Sequence, residues 1–167
     1  MPHTNAPLNQ AVQQYLDYLA YNKRYSSHTI DAYRRDIQRL IHTLEDLGHD
    51  TWVDTQADTI RAAMINARKA DLAPKSIQRI LSSWRSFFTY LLQQRLVKLN
   101  PVEGIKAPKS PQKLPNSLDP DQISQVLNAP IASEDPMAMR DKAMVELTYS
   151  CGLRVAELAS LNVFDID

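Results

Sequence analysis

Arg154 stands two residues beyond Gly152 and three before Glu157, in the run Thr148-Tyr149-Ser150-Cys151-Gly152-Leu153-Arg154-Val155-Ala156-Glu157-Leu158. A glycine there breaks one helix and the next residues open another, so the guanidinium sits at a corner where its fork can face a cleft. Such a fork suits a phosphate. The same spacing also allows a solvated ion pair with Glu157 at i, i+3. A second group of chemistry-bearing residues lies upstream. At about 100° per residue, Lys75, Gln78, Arg79, Ser82, Ser86 and Thr89 share one helix face, with Ser83 and Arg85 at its borders. Small hydroxyl residues between longer basic and amide ones let a helix backbone approach a nucleic-acid groove while the long side chains reach phosphates or base edges. A plain solvated face is the alternative. Arg35, Gln38, Arg39 and His42 form a comparable polar face on an earlier helix, with Arg34 on its flank.

Other chemistries lack support. The single cysteine, Cys151, excludes an internal disulfide and a cysteine-based zinc site, and with no histidine near it in sequence it reads as a small buried filler. His3, His28, His42 and His49 have no metal-ligand spacing, and no Walker motif, dinucleotide loop or carboxylate cluster occurs. We therefore expect no metal, no cofactor and no small-molecule ligand.

The elements that must position these residues are helical. The 167 residues contain only three glycines and no strand-length alternation of apolar and polar residues, so an all-α fold is expected. A first helix spans about residues 8–22, with Leu8, Val12, Tyr15, Leu16 and Leu19 at helical spacing. A second, about 27–47, carries a stripe of Ile30, Tyr33, Ile37, Leu40, Ile41, Leu44 and Leu47 and ends at Gly48. A third covers about 56–69, with Thr55 as its expected cap. A fourth starts at Pro74 and runs to about 96, burying Ile77, Ile80, Leu81, Trp84, Phe87, Phe88, Leu91 and Leu92.

From 98 to 116 the prolines Pro101, Pro108, Pro111 and Pro115, interspersed with Lys106, Lys109 and Lys113, read as an extended linker that could lie along a phosphate backbone. The expected organisation is thus a domain over 1–97, a linker over 98–116 and a second unit over 117–167. In that unit Asp119-Pro120-Asp121 opens a short helix. Another begins near Pro136 and is expected to bury Met139, Ala143, Met144 and Leu147. Val155, Leu158 and Leu161 should pack a last one. Three short helices make a poor domain alone and look like the front of a larger one.

Charge separates the two parts. Residues 1–113 hold 16 Lys and Arg against 10 Asp and Glu, whereas residues 114–167 hold 3 against 9, although the formal net charge is zero. The basic first part suggests a polyanionic partner. No apolar run approaches a bilayer-spanning length and no signal peptide opens the chain, so a cytoplasmic protein is expected.

Together these stretches resemble a known family. Ser27-His28-Thr29 through Tyr33-Arg34-Arg35-Asp36, Arg79 through Leu91, Asn100-Pro101 with Pro108-Lys109 and Lys113-Leu114-Pro115, and Arg140-Asp141-Lys142-Ala143-Met144 leading to Gly152-Leu153-Arg154-x-x-Glu157-Leu158 are similar to the tyrosine recombinases of the lambda-integrase superfamily, most closely its bacterial Xer branch. Ala156 stands where many relatives have Ser.

The resemblance implies a four-helix SAM-like core-binding domain that clamps DNA, then a linker and the first helices of a truncated catalytic domain. Arg154 would be the first of two arginines holding the scissile phosphate. Arg34, Arg35, Arg39, Lys75, Gln78, Arg79, Ser82, Arg85, Lys109 and Lys113 would bind DNA. A family Tyr forms a 3′-phosphotyrosyl link and a free 5′-hydroxyl rejoins the strand, without ATP. That Tyr, a β-hairpin Lys, a His-x-x-Arg pair and a further His or Trp should all lie downstream of Asp167, leaving these 167 residues inactive alone. The implied partners are a double-stranded recombination site and a paralogous recombinase in a heterotetramer that resolves chromosome dimers. A phage or integron integrase fragment, or a non-catalytic DNA-binding regulator, remains open.

Overall fold

The computed structural model describes residues 8–109, 117–130 and 135–165, so Lys113 lies outside the described residues. Two compact units are present, Met1–Gln112 and Lys113–Asp167. The described residues form helices and no strands: α1 (Leu8–Tyr21), α2 (Ser27–Asp46), α3 (Ala57–Lys69), α4 (Pro74–Gln93), α5 (Pro120–Leu127), α6 (Pro136–Cys151), α7 (Val155–Ala159) and a 3-10 turn, Val163–Asp165. The all-α expectation holds. None of the helices is long and apolar enough to cross a membrane.

In the first unit, four amphipathic helices close around one apolar core. Tyr15, Leu16 and Leu19 of α1, Ile37, Leu40, Ile41 and Leu44 of α2, Ile60 and Met64 of α3, and Ile80, Leu81, Trp84, Phe87, Phe88 and Leu91 of α4 are buried. Each such side chain contributes about 1.5–3 kcal/mol through removal from water, which is why the period-3.6 stripes dictate these helices. Ser26 caps α2 by accepting from the Thr29 amide at 3.3 Å. Pro74 sits at the start of α4, where its missing N–H costs nothing.

Several expectations fail at the edges of these stripes. Leu47 and Leu92 are exposed, Leu47 at the C-cap of α2 and Leu92 in the last turn of α4. Thr55 does not cap α3: Gln56 occupies the cap position without a side-chain bond, while Thr55 is buried with its Oγ1 unpartnered. Trp52, outside any helix, is buried instead. Its ring meets Phe87 edge-on at 4.7 Å, and its indole Nε1 donates to the Leu8 carbonyl at 3.2 Å.

The chain beyond α4 is not a free spacer in its first part. Val97 and Val102 are buried, and Ile105 packs against the same core. Asn100 Nδ2 donates to the Arg85 carbonyl and to Thr89 Oγ1, while Asn100 Oδ1 accepts from the Val102 amide. Gly104, at φ +80°, makes the turn that lays this segment along α4. Residues 97–109 thus use their polar groups and two valines to dock on the helix.

In the second unit Asp119 and Gln122 close a reciprocal capping box at the start of α5. Gly152, at φ 63° and ψ 28°, ends α6 in the left-handed conformation. Burial there differs from expectation. Met139, Ala143 and Met144 are exposed, Val155 is 80% exposed and Cys151 is an exposed thiol. Apolar residues lie on every side of α6, and two short helices cannot cover them all. A groove of about 460 Å³ lined by Ile123, Val126, Met144, Tyr149 and Leu158 is what remains open.

Candidate nucleic-acid interface

Asp36 organises the polar side of the first unit. It falls one turn after Tyr33 and one before Leu40, hence on the buried stripe of α2, and it is fully buried. Arg79 of α4 reaches it with two bonds, Nε to Oδ2 at 3.1 Å and Nη2 to Oδ1 at 2.9 Å. The Asp36 carbonyl also accepts from Trp84 Nε1 at 2.7 Å. One residue therefore ties α2 to α4 through both its side chain and its backbone. Burial pushes the Asp36 carboxyl above the ordinary aspartate range, with Arg79, Ser83 and Arg39 pulling the other way.

Exposed basic residues flank this pair in sequence on both helices. Arg35 and Arg39 stand exposed on α2, one residue before and three after Asp36. Arg35 Nε donates to the Asp31 carbonyl at 3.2 Å, and Arg39 has no ion pair among the described residues. Arg34 is paired with Asp31 at 2.8 Å, both side chains being half in water, so the contact is weak and releasable. On α4, Lys75 and Ser82 are exposed one turn either side of Arg79, whose side chain is 47% exposed.

The remaining expected residues on α4 have other partners. Gln78 Nε2 donates to the Pro108 carbonyl at 2.9 Å, and Arg85 Nη2 donates to the Ile105 carbonyl at 3.2 Å. These two bonds hold the docked segment and bring Lys106 and Lys109, both exposed, beside α4. Most of the hydroxyls are also committed. Ser83 is buried against the Ile80 carbonyl, Ser86 is bonded by the buried Tyr15 hydroxyl at 2.8 Å, and Thr89 bonds the Arg85 carbonyl. Only Ser82 is the open small residue that the helix-face argument needs. Burial drives the Tyr15 phenol far above its ordinary range, leaving it a core group.

Sequence reasoning missed Asp36 and Lys106 as parts of this face. A carboxylate on an apolar stripe was the available signal for Asp36, since such a group must find a buried partner. Lys106 was visible only as one lysine among several in a proline-rich stretch.

Arg154, in the second unit, takes the surface-pair option that its spacing allowed. Its side chain is 84% exposed, its Nη1 bonds Glu157 Oε1 at 3.0 Å, and its backbone N–H donates to Glu157 Oε2 at 2.7 Å. Glu157 thereby caps α7 and parks the guanidinium at the corner made by Gly152.

Comparison with known proteins accounts for both units. Residues 12–95 match the family described as phage integrase, N-terminal SAM-like domain, and residues 116–167 match the phage integrase family. The chain is 42% identical to tyrosine recombinase XerC of Alcanivorax borkumensis over 158 residues, 95% of this chain and 50% of the relative. It is 39% identical to XerC of Actinobacillus pleuropneumoniae over 153 residues, 92% of this chain and 49% of the relative. The chain spans about half the length of the curated relatives it matches. Among solved structures, a lambda integrase dimer bound to a COC′ core site is similar with a TM-score of 0.65 at 22% identity, covering 99% of this chain and 44% of that one. The N-terminal domain of a phage integrase/site-specific recombinase from Haloarcula marismortui gives 0.56 at 14% identity, covering 61% of this chain and 96% of that one. At those identities the structural likenesses establish the fold. With an N-terminal SAM-like domain over residues 12–95 and a phage integrase segment over 116–167, this chain belongs to the phage integrase family of tyrosine recombinases.

Proposed function

We propose that this chain is the DNA-clamping portion, with the start of the catalytic domain, of a site-specific tyrosine recombinase that acts in the cytoplasm. Its similarity to XerC proteins favours chromosome dimer resolution with a paralogous recombinase over an integrase role. The observation that carries the reading is the face shared by α2, α4 and the docked segment, where Arg34, Arg35, Arg39, Lys75, Arg79, Arg85, Lys106 and Lys109 are exposed around one buried carboxylate. Such a concentration of cations releases condensed counterions on meeting a duplex, which drives association.

In this reading Arg154 grips the scissile phosphate. Attack on a phosphodiester builds charge on the non-bridging oxygens, and a guanidinium already held at a corner stabilises that charge without metal or nucleotide. The Glu157 pair is exposed on both sides, so the phosphate exchanges for it at little cost. The nucleophilic tyrosine would belong to the part of the protein beyond the family segment matched here.

The test is adduct formation by the full-length protein on a nicked duplex carrying its recombination site. Wild type should accumulate a covalent 3′-linked adduct, and Arg154→Ala should slow it by about 100-fold or more with duplex binding retained. An adduct formed at the wild-type rate by Arg154→Ala would remove that arginine from the chemistry.

A further inference from the structure

Arg79 is spent in an unusual way for a phosphate contact. Its Nε–Nη2 edge is filled by Asp36, a carboxylate with 1% side-chain exposure, yet the guanidinium itself is 47% exposed. Of its five N–H donors, two point at Asp36, and Nη1 with the second Nη2 proton faces outward with no bond to the described residues. The Coulombic pull of this arginine is largely compensated by Asp36, whereas the direction of its free fork is fixed. A phosphate ligand needs uncompensated charge and a base reader needs a fixed direction, so Arg79 suits the second role.

We propose that Arg79, buttressed by Asp36, is a specificity-determining residue that reads a guanine in the DNA major groove. This rests on the reading of the α2–α4 face as a duplex-binding surface. The free end of the guanidinium matches the O6 and N7 acceptors of guanine, the commonest bidentate base contact. Exposed Ser82, one turn further along α4, leaves room for the helix to enter the groove, and Lys75 and Arg39 stand beside the fork to meet the flanking phosphates. Asp36 acts as the positioning residue. Its two bonds hold the guanidinium plane, which a lysine cannot reproduce.

The test uses the 167-residue chain. A pool of randomised duplexes is selected for binding, and the enriched duplex is then remade with each base pair substituted in turn. The expected result is one guanine whose replacement weakens wild-type binding by about tenfold or more. Arg79→Lys, which keeps the charge opposite Asp36, should bind all four bases at that position within about threefold and keep the wild-type salt dependence. Asp36→Asn should flatten the same preference and steepen the salt dependence, because the guanidinium charge is then uncompensated. Far-UV circular dichroism confirms that both variants are folded. Retention of the full guanine preference by folded Arg79→Lys, or binding with no guanine position at all, overturns the proposal and leaves the DNA reading intact. Failure of wild type to bind any duplex overturns both.

Discussion

Removing Arg79 should cost the first unit much of its stability, and the cost should depend on pH in a defined direction. Arg79→Ala leaves the Asp36 carboxylate with no cation and without the two bonds at 2.9 and 3.1 Å. Stripping one partner from a fully buried pair costs about 3–5 kcal/mol. Arg79 is half exposed, so water can follow the deleted side chain, and about 3 kcal/mol is the working figure at pH 7.5. For a unit of this size that corresponds to a fall in Tm of about 15 °C.

The sign of the pH effect follows from Asp36. Burial already raises its pKa in the folded state, and losing Arg79 raises it further. A group with a raised folded pKa contributes stability that is present below its unfolded value of 3.8 and lost as pH rises through the folded value. In Arg79→Ala the penalty is therefore larger at pH 7.5 and shrinks toward pH 4.5 as more of the carboxyl folds in its neutral form. Urea titrations of wild type and variant, followed by far-UV circular dichroism at both pH values, give the difference directly. A loss below about 1 kcal/mol at pH 7.5, or a loss that grows on acidification, would refute the argument. The double variant Asp36→Ala/Arg79→Ala should be less destabilised than the sum of its parts by about 2 kcal/mol.

Three further outcomes are expected. Trp52→Ala should destabilise the first unit by about 3–5 kcal/mol in the same urea assay, since a buried ring packed on Phe87 is lost with its bond to Leu8. Asp71→Gly should stabilise it by about 0.5–1 kcal/mol, because Asp71 holds φ 53° just beyond α3, a conformation that costs a residue with a Cβ. Mutation of Arg34 to Ala should weaken duplex binding less than Arg39→Ala, as Arg34 must first leave Asp31; binding constants at one fixed salt concentration decide it.

Much of the architecture was legible because its cause is local. The stripes of α2 and α4, Ser26 before α2, Pro74, the Asp119-Pro120 start and the glycines at 48 and 152 each act within a few residues of themselves. What escaped depends on residues far apart in sequence. Asp36 and Arg79 are 43 positions apart and Trp52 meets Leu8 across 44, so no periodicity connects them. Val97 and Val102 are single apolar residues in a proline-rich stretch, and composition hid the fact that their burial docks it on α4. The second unit was misjudged for the opposite reason. Met139, Met144 and Val155 have core chemistry, but the described helices present too little surface to bury them. For Arg154 the local pattern allowed two outcomes, a phosphate ligand or a Glu157 pair, and the isolated chain shows the pair.

The most direct measurement is the salt dependence of duplex binding by the 167-residue chain, taken by fluorescence anisotropy for wild type and for the variants Arg35→Ala and Arg39→Ala. If the α2–α4 face is the DNA interface, the logarithm of affinity falls linearly with the logarithm of salt, and each variant lowers the magnitude of the slope by about 0.9, one phosphate contact apiece. Slopes identical to wild type in both variants would place the DNA elsewhere on the molecule and contradict the account.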